Sequence, residues 1–98
     1  MPVQAADNKK ALELIDSQLL KGKVDDGRLN GMKEELDRII GKRPEAYAFL
    51  LRATVRFNLK DSQGAFSDCD EAIKLNGKLR RAYALRGMGI EAGSVKAG

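Results

Sequence analysis

The 98-residue sequence contains no histidine, no tryptophan and a single cysteine, Cys69. One cysteine cannot build a disulfide framework within the chain. Without histidine, the chain also lacks the ligands of most zinc and haem sites and the imidazole base of Ser–His and Cys–His catalysis. We therefore expect no enzymatic activity, no metal site and no cofactor.

Long apolar runs are missing as well. No stretch approaches the ~18 uninterrupted apolar residues that a membrane span needs, and the N-terminal residues show no apolar core of a secretory signal. Eighteen Lys and Arg against fourteen Asp and Glu give a net charge of +4 on an evenly mixed sequence. This excess is too small to require a nucleic-acid or lipid partner. We expect a cytoplasmic protein without a membrane partner.

Apolar residues recur at three- and four-residue spacing along most of the chain, which is the pattern of amphipathic helices. No segment shows the alternation of a strand. Pro44 fits the first turn of a helix, Gly41 the end of the preceding one, and Asp61 or Ser62 a helix start. The sequence predicts an all-α fold of five helices with short loops, over residues 7–21, 28–40, 44–59, 62–75 and 79–92.

The third predicted helix is apolar nearly all round, so we expect it to lie between neighbours or in an interface. Arg52 and Arg56 share one of its faces at four-residue spacing. They pair with Asp68 or Asp70 of the next helix or bind an acidic peptide, and the pairing is favoured. The acidic run around Asp68 predicts a solvated face rather than a cation site. Cys69 is predicted to be a buried structural thiol.

The sequence also contains an internal repeat. Phe49 and Tyr83, Arg52 and Arg86, and Ala53 and Gly87 are each 34 residues apart, which is the period of tetratricopeptide repeats. The segment 46–79 resembles that family through its aromatic Phe49, its small residues and its ending Ile73-Lys74-Leu75-Asn76. The small residues at helix contacts are Ala53, Ala65 and Ala72.

Three positions depart from the family pattern. Arg56 stands where a packing tyrosine is usual, so Phe57 is expected to take over that contact. Cys69 replaces an aromatic residue, and Gly77 stands in place of proline.

The resemblance implies one domain over residues 1–98, built as a short solenoid of antiparallel helix pairs. Within it, 11–44 is a degenerate repeat and 46–79 the well-matched one. Residues 80–92 form an unpaired or capping helix, and 93–98 a flexible tail.

In proteins of this family, the first helix of each repeat lines a groove that holds a peptide or a partner helix. The resemblance therefore implies a protein-interaction module, such as a scaffold or adaptor. Members that bind chaperone C-termini use several Lys, Asn and Arg side chains, whereas only Arg81 is basic here, which argues against such a carboxylate clamp. The implied groove residues are Tyr47, Leu50, Leu51, Thr54, Asn58, Arg81, Ala84, Leu85 and Met88. Replacing Leu50 and Leu51 together with Asp is expected to abolish binding and preserve helicity.

The last predicted helix has no following helix to cover it, although solenoids normally end in a polar cap. The missing cover is expected to come from another subunit, from a partner or from further sequence. The favoured expectation is a homodimer that buries Tyr83, Leu85, Met88 and Ile90.

The alternative hypothesis is a basic helical domain that binds nucleic acid. It would use Lys42, Arg43, Lys78, Arg80 and Arg81, and its affinity would fall steeply with salt. The even charge mix and the lack of aromatic residues suited to base stacking count against it.

Overall fold

The computed structural model describes residues 3–87, with side chains from residue 8 onward. This part of the chain consists of helices joined by short turns and contains no strand, so the all-α prediction is confirmed. The helices are α1 (Val3–Leu20), α2 (Asp26–Lys42), α3 (Ala46–Asn58), α4 (Ser62–Leu75) and α5, which is helical over residues 80–87. None of the helices in this range is long and apolar enough to cross a membrane.

Two predicted helix boundaries are wrong near Pro44. Helix α2 continues through Gly41 to Lys42, and α3 begins at Ala46 rather than at Pro44. The residue before a proline is pushed out of the helical region, and Arg43 is accordingly extended, with φ −156° and ψ 104°. Pro44 thus ends one helix instead of opening the next.

Aspartate side chains cap the starts of α2 and α4. The Asp25 carboxylate accepts a hydrogen bond of 2.9 Å from the backbone N–H of Arg28, and Asp61 accepts one of 3.0 Å from that of Gly64. The predicted start of the fourth helix at Asp61–Ser62 is confirmed. The first helix begins at Val3, four residues before the predicted Asp7.

Helix α3 is the centre of the structure and packs against α1, α2 and α4. Its residues Ala48, Leu51 and Val55 join the core formed with α1 and α2. Its residues Phe49 and Leu50 pack instead with Ala72 of α4 and Ala82 of α5. The prediction that this helix lies between neighbours is confirmed.

Small side chains lie where α3 and α4 meet. Ala53, Ala65 and Cys69 form one buried cluster, and Phe57 packs against it. Because small residues allow two helices to approach closely, this cluster accounts for Ala53 and Ala65, while Ala72 packs in the cluster with Phe49 and Leu50. Burial raises the pKa of the Cys69 thiol to about 11, which agrees with its prediction as a structural thiol.

Candidate binding cleft

A cleft of about 230 Å³ lies between α3 and α5. Its lining includes one charged side chain, Arg81, and the hydroxyl of Thr54 is bonded to the backbone oxygen of Leu50 at 3.0 Å. The surface is therefore apolar with a single basic group. The lining residues are Leu50, Thr54, Arg81, Ala84 and Leu85, all of which belong to the predicted groove.

The floor of the cleft is held by the core. Leu50 is 1% exposed and packs with Phe49, Ala72 and Ala82. Leu85 is half-buried against the same cluster and against the Ala53 cluster, whereas Ala84 is exposed. Side chains fixed by packing on one side present a preformed surface on the other.

Leu51 does not belong to the cleft, so the groove prediction is wrong for this residue. It is 0% exposed and packs with Leu12 of α1 and Leu36 of α2. Neighbouring residues on an α-helix point about 100° apart, so Leu50 and Leu51 face different partners. Because both positions are buried in cores, we expect an aspartate pair there to destabilise the fold as well as the cleft, so the double variant does not separate binding from folding.

Two further predicted groove residues, Asn58 and Tyr47, lie outside the cleft lining. Asn58 is exposed, donates to the backbone oxygen of Thr54 at 2.9 Å and lines a different cleft beside the α3–α4 turn. Tyr47 is half-buried and bonded to α1, as described below. Of the predicted self-association residues, Tyr83 is 43% exposed. Met88 and Ile90 lie outside the described residues.

A polar network beside the cleft joins three helices through Asp16 of α1. The Tyr47 hydroxyl donates to Asp16 Oδ2 at 2.6 Å. Arg81 Nη1 and Nη2 donate to the two oxygens of the same carboxylate at 2.9 and 2.8 Å. The hydrogen bonds from Arg81 lower the pKa of Asp16 against the opposing effect of burial. Sequence reasoning missed Asp16, whose partners lie 31 and 65 residues away.

Burial, together with the bond to Asp16, raises the pKa of Tyr47 to about 12. A tyrosine whose folded-state pKa exceeds its unfolded value of about 10 adds stability that is intact below pH ~10 and lost as pH rises toward 12. We expect the difference in unfolding free energy between wild type and Tyr47→Phe to shrink over this range. Urea denaturation of both proteins at pH 8 and 11.5 measures it. A difference independent of pH would contradict the assignment.

A second polar network is buried between α2, α3 and α4. Arg52 Nε and Nη2 donate to the Asp68 carboxylate at 3.0 and 2.8 Å, and its Nη1 donates to Asp37 at 2.8 Å. Arg56 Nη1 also donates to Asp68, at 3.0 Å. The predicted pairing of both arginines is confirmed with Asp68, while Asp70 bonds to Arg86.

The prediction of a solvated acidic face is wrong for Asp68. Its residue is 2% exposed, because two guanidinium groups replace the water that a carboxylate otherwise binds. Within residues 3–87, no group of acidic residues and cysteine is arranged to hold a metal ion.

The residues of the nucleic-acid alternative lie at the α2–α3 and α4–α5 turns. Lys42, Arg43, Lys78 and Arg80 are exposed there. Arg81 differs from them, because its guanidinium is bonded to Asp16.

Comparison with known proteins identifies no homologue of this chain. No protein-family model matches the chain, and neither a curated protein nor a solved structure shows significant similarity to it.

Proposed function

We propose that this protein is an interaction module of the tetratricopeptide type, which binds a peptide or a partner helix and catalyses no reaction. The observation that carries this proposal is the cleft between α3 and α5, whose apolar floor is set by the core. A preformed apolar surface with one charged group at its edge can hold an apolar side chain of a partner and orient what flanks it.

The arrangement of the helices supports the same proposal. Asp16, Tyr47 and Arg81 belong to α1, α3 and α5, yet they meet in one network. Alternate helices therefore share one face of the protein, and the cleft lies beside that face. This placement is compatible with a short stack of helix pairs, to which the bond between α1 and α5 adds a contact beyond nearest neighbours.

Peptide selection tests the proposal. A random dodecapeptide library displayed on phage is selected on wild type, and the peptides are measured on Ala84→Arg by fluorescence polarisation. Because Ala84 is exposed at the cleft, an arginine there should obstruct it and weaken binding at least about tenfold, a loss of about 1.4 kcal/mol.

Ser67→Arg is the matched control, because Ser67 is exposed on α4 and does not line the cleft. It adds the same charge and should bind the selected peptides as wild type does. Circular dichroism checks that both variants fold. Equal affinities of all three proteins would show that the peptides bind elsewhere and would overturn the assignment of the cleft.

We propose further that the chain forms a homodimer through the face that includes Tyr83. This aromatic residue is 43% exposed. Dimer formation would cover such apolar surface and stabilise a small core by mass action. Light scattering over a hundredfold range of concentration should give a mass of twice 10.7 kDa at the upper end. The mass of one chain at every concentration would contradict the dimer.

A further inference from the structure

The structure contains an arginine that binds two carboxylates at once. Arg52 places its Nε and Nη2 against Asp68 and its Nη1 against Asp37. A guanidinium has five N–H donors in one plane, so two acidic groups can bind different edges of it. Arg52 shows that this chain accommodates an Asp–Arg–Asp arrangement.

Arg81 binds one carboxylate in a similar way, but not a second one among the described residues. Asp16 binds its outer edge through Nη1 and Nη2. In the part of the chain that the structure describes, no acceptor is hydrogen-bonded to Arg81 Nε. The edge that Nε forms with Nη2, which binds Asp68 in the case of Arg52, has no carboxylate of residues 8–87 on it in Arg81. The Arg81 side chain is 47% exposed and lines the cleft. A partner in the cleft can therefore reach the donors that Asp16 leaves unused.

We propose that the partner of the cleft presents an apolar side chain and, adjacent to it in sequence, an aspartate or glutamate. The apolar side chain lies on Leu50 and Leu85, and the carboxylate binds the unused edge of Arg81, as Asp68 binds Arg52. Asp16 is a positioning residue, because its two hydrogen bonds fix the orientation of the guanidinium. This inference rests on the proposed function and specifies the chemistry of the partner.

Asp16 offsets the net charge of Arg81, so the preference for an acidic partner comes from the hydrogen-bond donors on the unused edge of its guanidinium. The apolar lining keeps water away from one side of the contact, which strengthens a charge-assisted hydrogen bond.

Selection of the same dodecapeptide library on Arg81→Gln tests the inference. Arg80→Gln is the matched control, since it removes the same charge from the neighbouring exposed residue. On wild type and Arg80→Gln, an acidic residue beside a branched apolar one should be enriched. On Arg81→Gln this acidic preference should fall at least about tenfold, while the apolar preference remains.

The outcomes separate the two proposals. Peptides that depend on Ala84 but show the same acidic frequency on wild type and on Arg81→Gln would overturn this inference and leave the proposed function standing. Peptides that bind Ala84→Arg as well as wild type would overturn the proposed function itself.

A second measurement uses the unaltered chain, because Arg81→Gln removes one of the two partners of Asp16 and weakens the attachment of α1 to α5. Sodium 4-methylpentanoate and its neutral analogue 4-methylpentanamide are titrated while the arginine Nε–H signals and leucine methyl signals are followed by NMR. Both probes should shift the methyls of Leu50 and Leu85, but only the carboxylate should shift the Nε–H of Arg81. Equal shifts of that signal by both probes would overturn the inference.

Discussion

Replacing Asp68 with alanine is expected to lower the free energy of unfolding by about 3–5 kcal/mol, because it removes the buried carboxylate that Arg52 and Arg56 share and leaves Arg52 with Asp37 alone. Asp68 is 2% exposed and accepts hydrogen bonds from both Arg52 and Arg56. A domain of this size has a total stability near the lower end of ~5–15 kcal/mol. The variant should therefore keep at most about 2 kcal/mol of stability at room temperature.

Asp70→Ala is the matched control, two residues further along the same helix. Asp70 bonds to Arg86 through a pair whose side chains are 41% and 33% exposed. A solvent-exposed ion pair contributes about 0–1 kcal/mol. Urea denaturation followed by circular dichroism measures both variants. If the free energies of unfolding of the two variants agreed within about 1 kcal/mol, the result would contradict the assignment of the Asp68 network as the contact that stabilises the packing of α2, α3 and α4.

Leu51→Ala is expected to destabilise the protein by about 2–5 kcal/mol, which is the range for removing a large buried side chain from a core that relaxes only partly. Leu51 is 0% exposed where α1, α2 and α3 meet. The same urea experiment measures the loss.

Leu14→Ala controls for the change of residue type, because Leu14 is 61% exposed on α1. It should alter the stability by no more than about 0.5 kcal/mol. The pair also separates the two assignments of Leu51. Replacing a residue of the binding surface should lower the affinity for peptide without lowering the stability of the protein. A Leu51→Ala protein as stable as Leu14→Ala would therefore support the original assignment of Leu51 to the groove.

Much of the fold follows from local spacing in the sequence. Apolar periodicity gave the number and order of the helices, and Asp61 marked the start of α4 correctly. The pairing of Arg52 and Arg56 with an aspartate of the next helix was also predictable, because residues four apart lie on one face of a helix. The choice of Asp68 over Asp70 was left open by the sequence. The burial of this network could not be predicted, since Asp68 belongs to a run of acidic residues that is typical of a solvated surface.

The residues of the cleft could be predicted only in part. Helix α3 is apolar nearly all round, so its periodicity does not reveal that Leu50 faces α5 while Leu51 faces α1 and α2. The role of Asp16 had no local signal at all, because both of its partners come from distant helices. Contacts of this kind depend on how the helices pack against one another. The spacing of residues within a single helix carries no information about that packing.

The bond between Asp16 and Arg81 also bears on how the protein unfolds. In a row of helices that touch only their neighbours, either end can fray without disturbing the other. Here the first helix is tied to the fifth across 65 residues, so detachment of α1 also breaks a contact of α5. The two ends should therefore open together, and amide hydrogens in α1 and α5 should exchange with similar free energies of opening. Among the side-chain hydrogen bonds of the described residues this contact spans the largest sequence separation, 65 residues. We expect it to form after the neighbouring helices have paired.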